Sequence, residues 1–215
     1  MTLKVSEEFV PREGAEARIS VVDWNGMKAI SKKRIPKKYR DQSLDLMLRT
    51  RRTKQEAEML HSAKLAGVRS PFIHYADPTN SELIMEYVEG RLLKDLSGDE
   101  DSAKWYELLG EYTARLHAYG IMHGDLTTKN VIISSDNLIL IDFGLSFFSD
   151  RLEDRGEDLH LLKQAVRSSC SPKLATTFFS SVMKGYSSHA GKVKTEEVQA
   201  QIIEIEKRGR YARVD

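Results

Sequence analysis

The stretch His-Gly-Asp-Leu-Thr-Thr-Lys-Asn, residues 123–130, followed by Asp-Phe-Gly at 142–144, decides how this chain is read. Between them lie two apolar runs, VIIS and LILID, around Ser135, Asp136 and Asn137, the pattern of a short β-hairpin. Asn130 stands just before the first strand and Asp142 just after the second, and antiparallel strands bring those two ends together. Asp125 lies in the loop leading into the same edge. Two carboxylates and an amide oxygen beside a glycine-bearing turn suit Mg²⁺, which takes oxygen ligands and is bound jointly with phosphates. A carboxylate left off the metal can orient an attacking hydroxyl or accept its proton. Singly, Asp and Asn are ordinary turn residues. Together, at these spacings, they point to phosphoryl transfer.

The rest of the composition is compatible with that chemistry without adding to it. The 33 basic and 32 acidic residues nearly cancel, so net charge selects no partner. Charge is nevertheless clustered, in KKRIPKKYR (32–40), RTRRTK (49–54) and the terminal KRGRYAR (207–213). The one cysteine, Cys170 in SSCSP, excludes an internal disulfide and reads as a bland thiol. MTLKVSEEF lacks a signal-peptide apolar run, and no segment approaches membrane-spanning length, so a soluble cytoplasmic protein without a membrane partner is expected.

Upstream, ARISVVDWNGMKAISK reads as two strands around Asn25-Gly26. A helix is predicted from about Ser43 to Ala66, stopped by Gly67, and ELIMEYVEG is a strand entering a turn at Gly90. Downstream, Trp105, Leu108, Leu109, Tyr112 and Leu116 recur at helical spacing, with Gly120 as the end. Three more helical patterns begin near Glu157, Pro172 and Thr195, with Ser171 and Thr195 as caps. Strands, one helix and a strand, then mainly helices, give an α+β chain in two lobes: residues 1–88, ending in a hinge, and 89–215, ending in a basic tail.

The 123–130 and 142–144 motifs resemble the protein-kinase catalytic and metal loops. That resemblance implies a bilobal kinase-like fold with a small β-rich N-lobe and a reduced, mainly helical C-lobe. Asp125 would be the catalytic aspartate, Asn130 and Asp142 would hold Mg²⁺ against the phosphates of ATP, and Phe143 would pack in the core. His123 would brace the loop rather than touch substrate.

The N-lobe should supply a lysine for the α- and β-phosphates and a glutamate to hold it. Strand alternation in MKAISK puts Lys28, Ile30 and Lys32 on one face and leaves Lys33 on the other. AISK resembles the kinase VAIK motif, which selects Lys32, with Ile30 beside the adenine. Glu56 shares a helical face with Met59, Leu60 and Ala63, whereas Glu58 falls with Lys54 and Ser62. A carboxylate on an inward face is costly unless paired, so a Lys32–Glu56 pair is expected. MEYVEG resembles a kinase hinge, where the backbone at Glu86 and Val88 would bond adenine and Met85 would guard the pocket. Ile132, on the first hairpin strand, completes the expected nucleotide-contacting set.

Ordinary protein kinases differ from this chain in three places. The phosphate loop is GAEA, Gly14, Ala15, Glu16 and Ala17, with one glycine; Thr127 stands where most serine/threonine kinases carry lysine; and no Ala-Pro-Glu motif follows DFG. GAEA, KRIPKKYR, RTKQEAEML, MEYVEG, HGDLTTKN and KRGRYARVD together resemble the small atypical kinases of the KEOPS complex, the PRPK type, relatives of the RIO kinases. The resemblance implies kinase or ATPase activity alongside a threonylcarbamoyl transferase and other KEOPS subunits, in the threonylcarbamoyl-adenosine modification of tRNA. Asp158 matches the kinase residue that braces the catalytic loop, its plainer alternative being a helix cap; no role is assigned to Glu16. The basic residues Lys33, Arg34, Lys37, Lys38, Arg40, Arg51 and Arg52 are either a solvated face or an approach to tRNA phosphates. Three other functions fit the same motifs: a non-catalytic module holding the transferase, a RIO-type ribosome-assembly kinase, and a small-molecule phosphotransferase.

Overall fold

The computed structural model describes residues 16–96 and 102–208 in full, with the backbone alone of 4–5, 12–13 and 209–211. The chain forms two compact units, 1–62 with 71–89 and 63–70 with 90–215.

The first unit is built on an antiparallel sheet in the order β1-β3-β4-β6-β5, with β2 beside β3. Its strands are β1 (Lys4–Val5), β2 (Arg12–Glu13), β3 (Ala17–Trp24), β4 (Met27–Arg34), β5 (Ile73–Asp77) and β6 (Glu82–Glu86). Trp24 pairs with Met27 across Asn25-Gly26, both at positive φ (54° and 81°), the two-residue turn that Asn-Gly favours. Helix α1 (Gln42–Leu65) starts one residue before the predicted Ser43. Asp41 caps it, its carboxylate accepting the backbone N–H of Ser43 at 3.0 Å and Leu44 at 3.1 Å. The helix closes with Gly67 N–H on Lys64 O and Val68 N–H on Ala63 O, the paired bonds of a Schellman end.

Residues 63–70 belong to the second unit, and two of their carbonyls are bonded within it. Arg115 Nη1 donates to Gly67 O at 2.9 Å, and Leu140 N–H donates to Arg69 O at 2.9 Å.

The second unit carries α2 (Ala103–Ala118), α3 (Leu152–Ser169), α4 (Pro172–Ala190) and α5 (Lys192–Tyr211). Two small sheets accompany them: β7 (Arg91–Leu92), β9 (Val131–Ser134) and β10 (Asn137–Leu140) in the order β10-β9-β7, and β8 (Ile121–Met122) with β11 (Phe147–Phe148). Helices α2 and α4 approach backbone to backbone: a methyl on Gly110 would lie 1.9 Å from Val182 O, and one on Gly185 would lie 1.8 Å from Glu107 O. Tyr106 and Phe178 stack across the same contact at 4.3 Å.

Two predicted helix starts are corrected. Helix α3 begins at Leu152, not near Glu157; Glu153 and Asp154 in its first turn favour the positive end of the helix dipole. Helix α5 begins at Lys192, and Thr195 lies inside it, donating its hydroxyl back to Gly191 O at 2.7 Å instead of capping. Ser171 does occupy the position before Pro172, although its side chain makes no capping bond. The small sheet-rich unit and the larger helical one give the expected α+β organisation.

Candidate active site

The hairpin β9–β10 pairs Val131 with Leu140 and Asn137 with Ser134, leaving Ser135-Asp136 as its turn. Its ends meet: Ile141 N–H donates to Asn130 O at 2.9 Å, which sets Asp142 beside Asn130. Asn130 Nδ2 donates to Asp125 O at 2.9 Å and to Asp125 Oδ2 at 2.8 Å. Both partners are acceptors, which fixes the amide's orientation and leaves Oδ1 as the oxygen turned away from Asp125. Asp125 and Asn130 are half-buried and Asp142 is exposed. Among the described residues, no group of three or more His, Cys, Asp or Glu side chains forms an all-protein metal site. The donor set here, one carboxylate and one amide oxygen, suits a cation that brings phosphate oxygens with it.

Asp142 holds φ at +62°, a left-handed conformation that Asp tolerates better than most residues. The chain keeps it there from both sides, through the Ile141 bond and through Phe143, which is fully buried against the His123 ring at 4.7 Å. Gly124 is also left-handed, at +75°, and a methyl there would lie 2.4 Å from Leu145 O. The glycine of His-Gly-Asp is therefore a packing requirement of the loop that follows DFG.

Asp158, 3% exposed on α3, braces the loop through its backbone. One oxygen accepts His123 N–H at 2.6 Å and the other accepts Gly124 N–H at 2.8 Å. Burial alone would raise this carboxyl, but the hydrogen bond and charge of His117, with the His123 contacts, hold it below the ordinary value. Asp158 is thus no helix cap. His117 spans from Asp158 Oδ2 (3.4 Å) to the Tyr186 hydroxyl (3.0 Å), joining α3, α2 and α4 behind the loop. His117 was not anticipated; the available signal was a histidine on the apolar face of α2.

His123 is fully buried, and burial drives its pKa down against the upward pull of Asp158, Asp142 and Asp125. Its neutral ring uses both nitrogens: Nδ1 accepts Asp125 N–H at 3.3 Å, so Nε2 carries the proton and donates to Ile141 O at 3.3 Å. One imidazole therefore ties the residue before Asp142 to Asp125.

In the sheet-rich unit, Lys32 Nζ donates to Glu56 Oε1 at 2.6 Å, with the side chains 9% and 2% exposed. Met59, Leu60 and Ala63 are buried on the same helix face; Lys33 and Glu58 are exposed, whereas Ser62, expected outside with Glu58, is buried. Arg34 corrects the reading of the basic stretch as one exposed surface. It is 5% exposed, and its Nη2 donates to Glu56 Oε2 at 2.6 Å. Alternation carried the signal, since residues 32 and 34 share a strand face.

Ile30 is half-buried on β4 and Met85 is buried on β6, opposite each other in register. Glu86 N–H is bonded to Phe72 O at 2.8 Å, so a bond from the Glu86 backbone to a base would use its carbonyl. Val88 is half-buried beyond β6, and Ile132 is half-buried on β9 opposite Ile139. Glu16 and Ala17 are placed, with Ala17 buried at the start of β3; Gly14 and Ala15 lie outside the described residues. In the basic tail, Lys207 pairs with Glu204 and Arg208 with Glu153, both at 2.8 Å or less, and residues 212–213 lie outside the described residues. No helix among the described residues is long and apolar enough to cross a membrane.

The protein kinase domain model matches residues 17–167. The chain is 41% identical over 209 residues to the KEOPS complex subunit Bud32 of Pyrococcus abyssi, covering 93% of this chain and 94% of that protein. It is 36% identical to a probable serine/threonine-protein kinase BUD32 homolog of Archaeoglobus fulgidus, covering 92% and 94%. It is 42% identical to a probable bifunctional tRNA threonylcarbamoyladenosine biosynthesis protein of Methanothermobacter thermautotrophicus, but spans only 36% of that longer protein's length. Among solved structures, the Rio2 kinase of Chaetomium thermophilum, in its ADP/Mg²⁺-phosphoaspartate complex, superposes with a TM-score of 0.65 at 16% identity, covering 95% of this chain and 71% of that one. At that identity the likeness bears on the fold alone. The chain belongs to the protein-kinase superfamily and, within it, to the Bud32 family of atypical serine/threonine kinases.

Proposed function

We propose that this chain is an ATP-dependent kinase or ATPase that works in the cytoplasm as a subunit of a KEOPS assembly, in support of threonylcarbamoyl-adenosine formation in tRNA. The observation that carries the chemistry is the pair of hydrogen bonds from the Asn130 amide to Asp125, which holds the Asp125 carboxylate in place and turns Asn130 Oδ1 away from it. The assembly role rests on relatives of matching length, one of them named as a KEOPS subunit.

Mg²⁺ and ATP supply the transferable phosphoryl group and the charge neutralisation its transfer needs. Asn130 through Oδ1 and Asp142 through its carboxylate would hold the metal. Asp125, kept in place by the Asn130 amide, orients an acceptor hydroxyl or water and takes its proton. Lys32, steadied by Glu56, answers the charge of the α- and β-phosphates. Met85 and the Glu86 and Val88 backbone contact the base, with Ile30 and Ile132 as apolar neighbours, while residues 14–17 cover the phosphates. The partners are the threonylcarbamoyl transferase and other KEOPS subunits, with tRNA phosphates meeting the exposed Lys33, Lys38 and Arg51.

Radiolabelled ATP given to wild type and to Asp125→Ala, alone and with co-purified partners, tests the proposal. Turnover lost in the variant is the expected result. Equal turnover in both, or a native preparation lacking a threonylcarbamoyl transferase, would sink it.

A further inference from the structure

The Glu56 carboxylate has two cations, not one. Lys32 takes Oε1 and Arg34 takes Oε2, each at 2.6 Å, from positions two apart on the same face of β4. All three side chains are buried, so the carboxylate is fixed in plane and direction by two residues of one strand. Arg34 also faces outward along the chain: its Nη1 lies 3.8 Å from Glu16 Oε2. The same Glu16 oxygen accepts from Arg52 Nη1 on α1 at 2.7 Å, and Glu16 O accepts Ile35 N–H at 3.1 Å. Charges therefore alternate in an unbroken row: Lys32, Glu56, Arg34, Glu16, Arg52.

Glu16 belongs to the segment expected to cover phosphate, and its carboxylate is committed to two guanidinium groups. Like charge makes it a poor phosphate contact, and its geometry gives it a different task. We propose that Arg34 is a positioning residue for phosphoryl transfer, which ties Glu16, just before β3, to the Lys32–Glu56 pair so that the two are set together. The proposal rests on the nucleotide reading above. A planar guanidinium can face two carboxylates from its separate nitrogens, whereas a lysine offers one compact charge. Arg34 also keeps Glu56 partnered while Lys32 engages phosphate, so that engagement leaves no bare buried carboxylate.

The test is a double-mutant cycle on Mg·ADP affinity, read with a fluorescent ADP analogue, for wild type, Glu16→Gln, Arg34→Lys and the double variant, with thermal melting of each. Arg52→Met serves as a second way to release Glu16. The expected result is weaker binding by about threefold to tenfold in Glu16→Gln and in Arg52→Met, and by about tenfold in Arg34→Lys, the range of one coupled charge contact. In the Arg34→Lys background, Glu16→Gln should cost little more. Additive losses would overturn the proposal, because they would make Glu16 an independent contact of the nucleotide. Lowered melting temperatures with unchanged affinities would also overturn it, leaving Arg34 a structural residue only. A wild type that binds no Mg·ADP would remove the nucleotide reading itself, an outcome distinct from binding with additive losses.

Discussion

Asp158 accepts the backbone N–H of His123 at 2.6 Å, with both groups buried. The loop that opens at His123 is thus held by its main chain from a helix that begins after DFG, so Asp125 takes no part in that anchoring.

Asp158→Asn should expose how much that brace matters. An amide offers one acceptor oxygen and turns its NH₂ toward the second backbone donor, so one buried N–H loses its partner. We expect a loss of about 2–4 kcal/mol in urea unfolding, the range for orphaning buried, charge-assisted bonds. A loss under half a kcal/mol would mean that the bonds contribute no net stability.

Stability should fall as the medium is acidified, in two stages. His123 is neutral when folded, with its pKa below the ordinary 6.5, so the unfolded chain binds more protons once the pH drops under that value. The carboxyl of Asp158 lies below its ordinary 3.8, so its contribution is complete above that value and drains away beneath it. In His123→Gln the dependence of unfolding free energy on pH between 7.5 and 5 should be shallower than in wild type, by up to about 1.4 kcal/mol per pH unit. Parallel profiles would refute this role for His123.

Gly124→Ala should be far worse than Gly26→Ala, although both glycines have φ near +80°. Beside Gly26 there is open space, so its cost is the left-handed conformation alone, about 1–2 kcal/mol. At Gly124 the new methyl also meets Leu145 O, and the loop after DFG must move. Thermal melting and ATP turnover of the two variants, side by side, would check the difference.

Lys32→Met should separate stability from activity. Glu56 keeps its Arg34 partner, so the loss in stability should stay under about 2 kcal/mol, less than the 3–5 of a buried pair left with one bare charge. ATP turnover should nevertheless fall by about a hundredfold or more, as when one transition-state donor is removed. A variant that unfolds would show that Arg34 cannot hold the carboxylate alone.

Asn130→Asp should also abolish most turnover, by about a hundredfold. A carboxylate would replace the amide donor and repel Asp125 at hydrogen-bond distance. If the variant keeps wild-type rates, Asn130 is not the orienting group described here.

Features that depend on local pattern were legible in the residues alone. Asn25-Gly26 specifies its hairpin because a turn with both central residues at positive φ matches the strands' twist and Asn-Gly tolerates both. Helical spacing placed Glu56 on an inward face, and a buried carboxylate demands a cation. Strand alternation set Lys32 apart from Lys33, and the likeness of AISK to the kinase lysine motif selected Lys32. The β9–β10 hairpin brought Asn130 to Asp142 because antiparallel pairing fixes its ends. The rest came from packing between distant segments. Arg34 looked like one member of a solvated basic run until long-range packing set it against Glu56, 22 residues away. Nothing local in Gly124 announced the carbonyl of Leu145, and Gly110 and Gly185 are glycines because two helices distant in sequence touch there. Periodicity records which face a residue shares, whereas the partner it meets on that face is chosen by how separate segments pack.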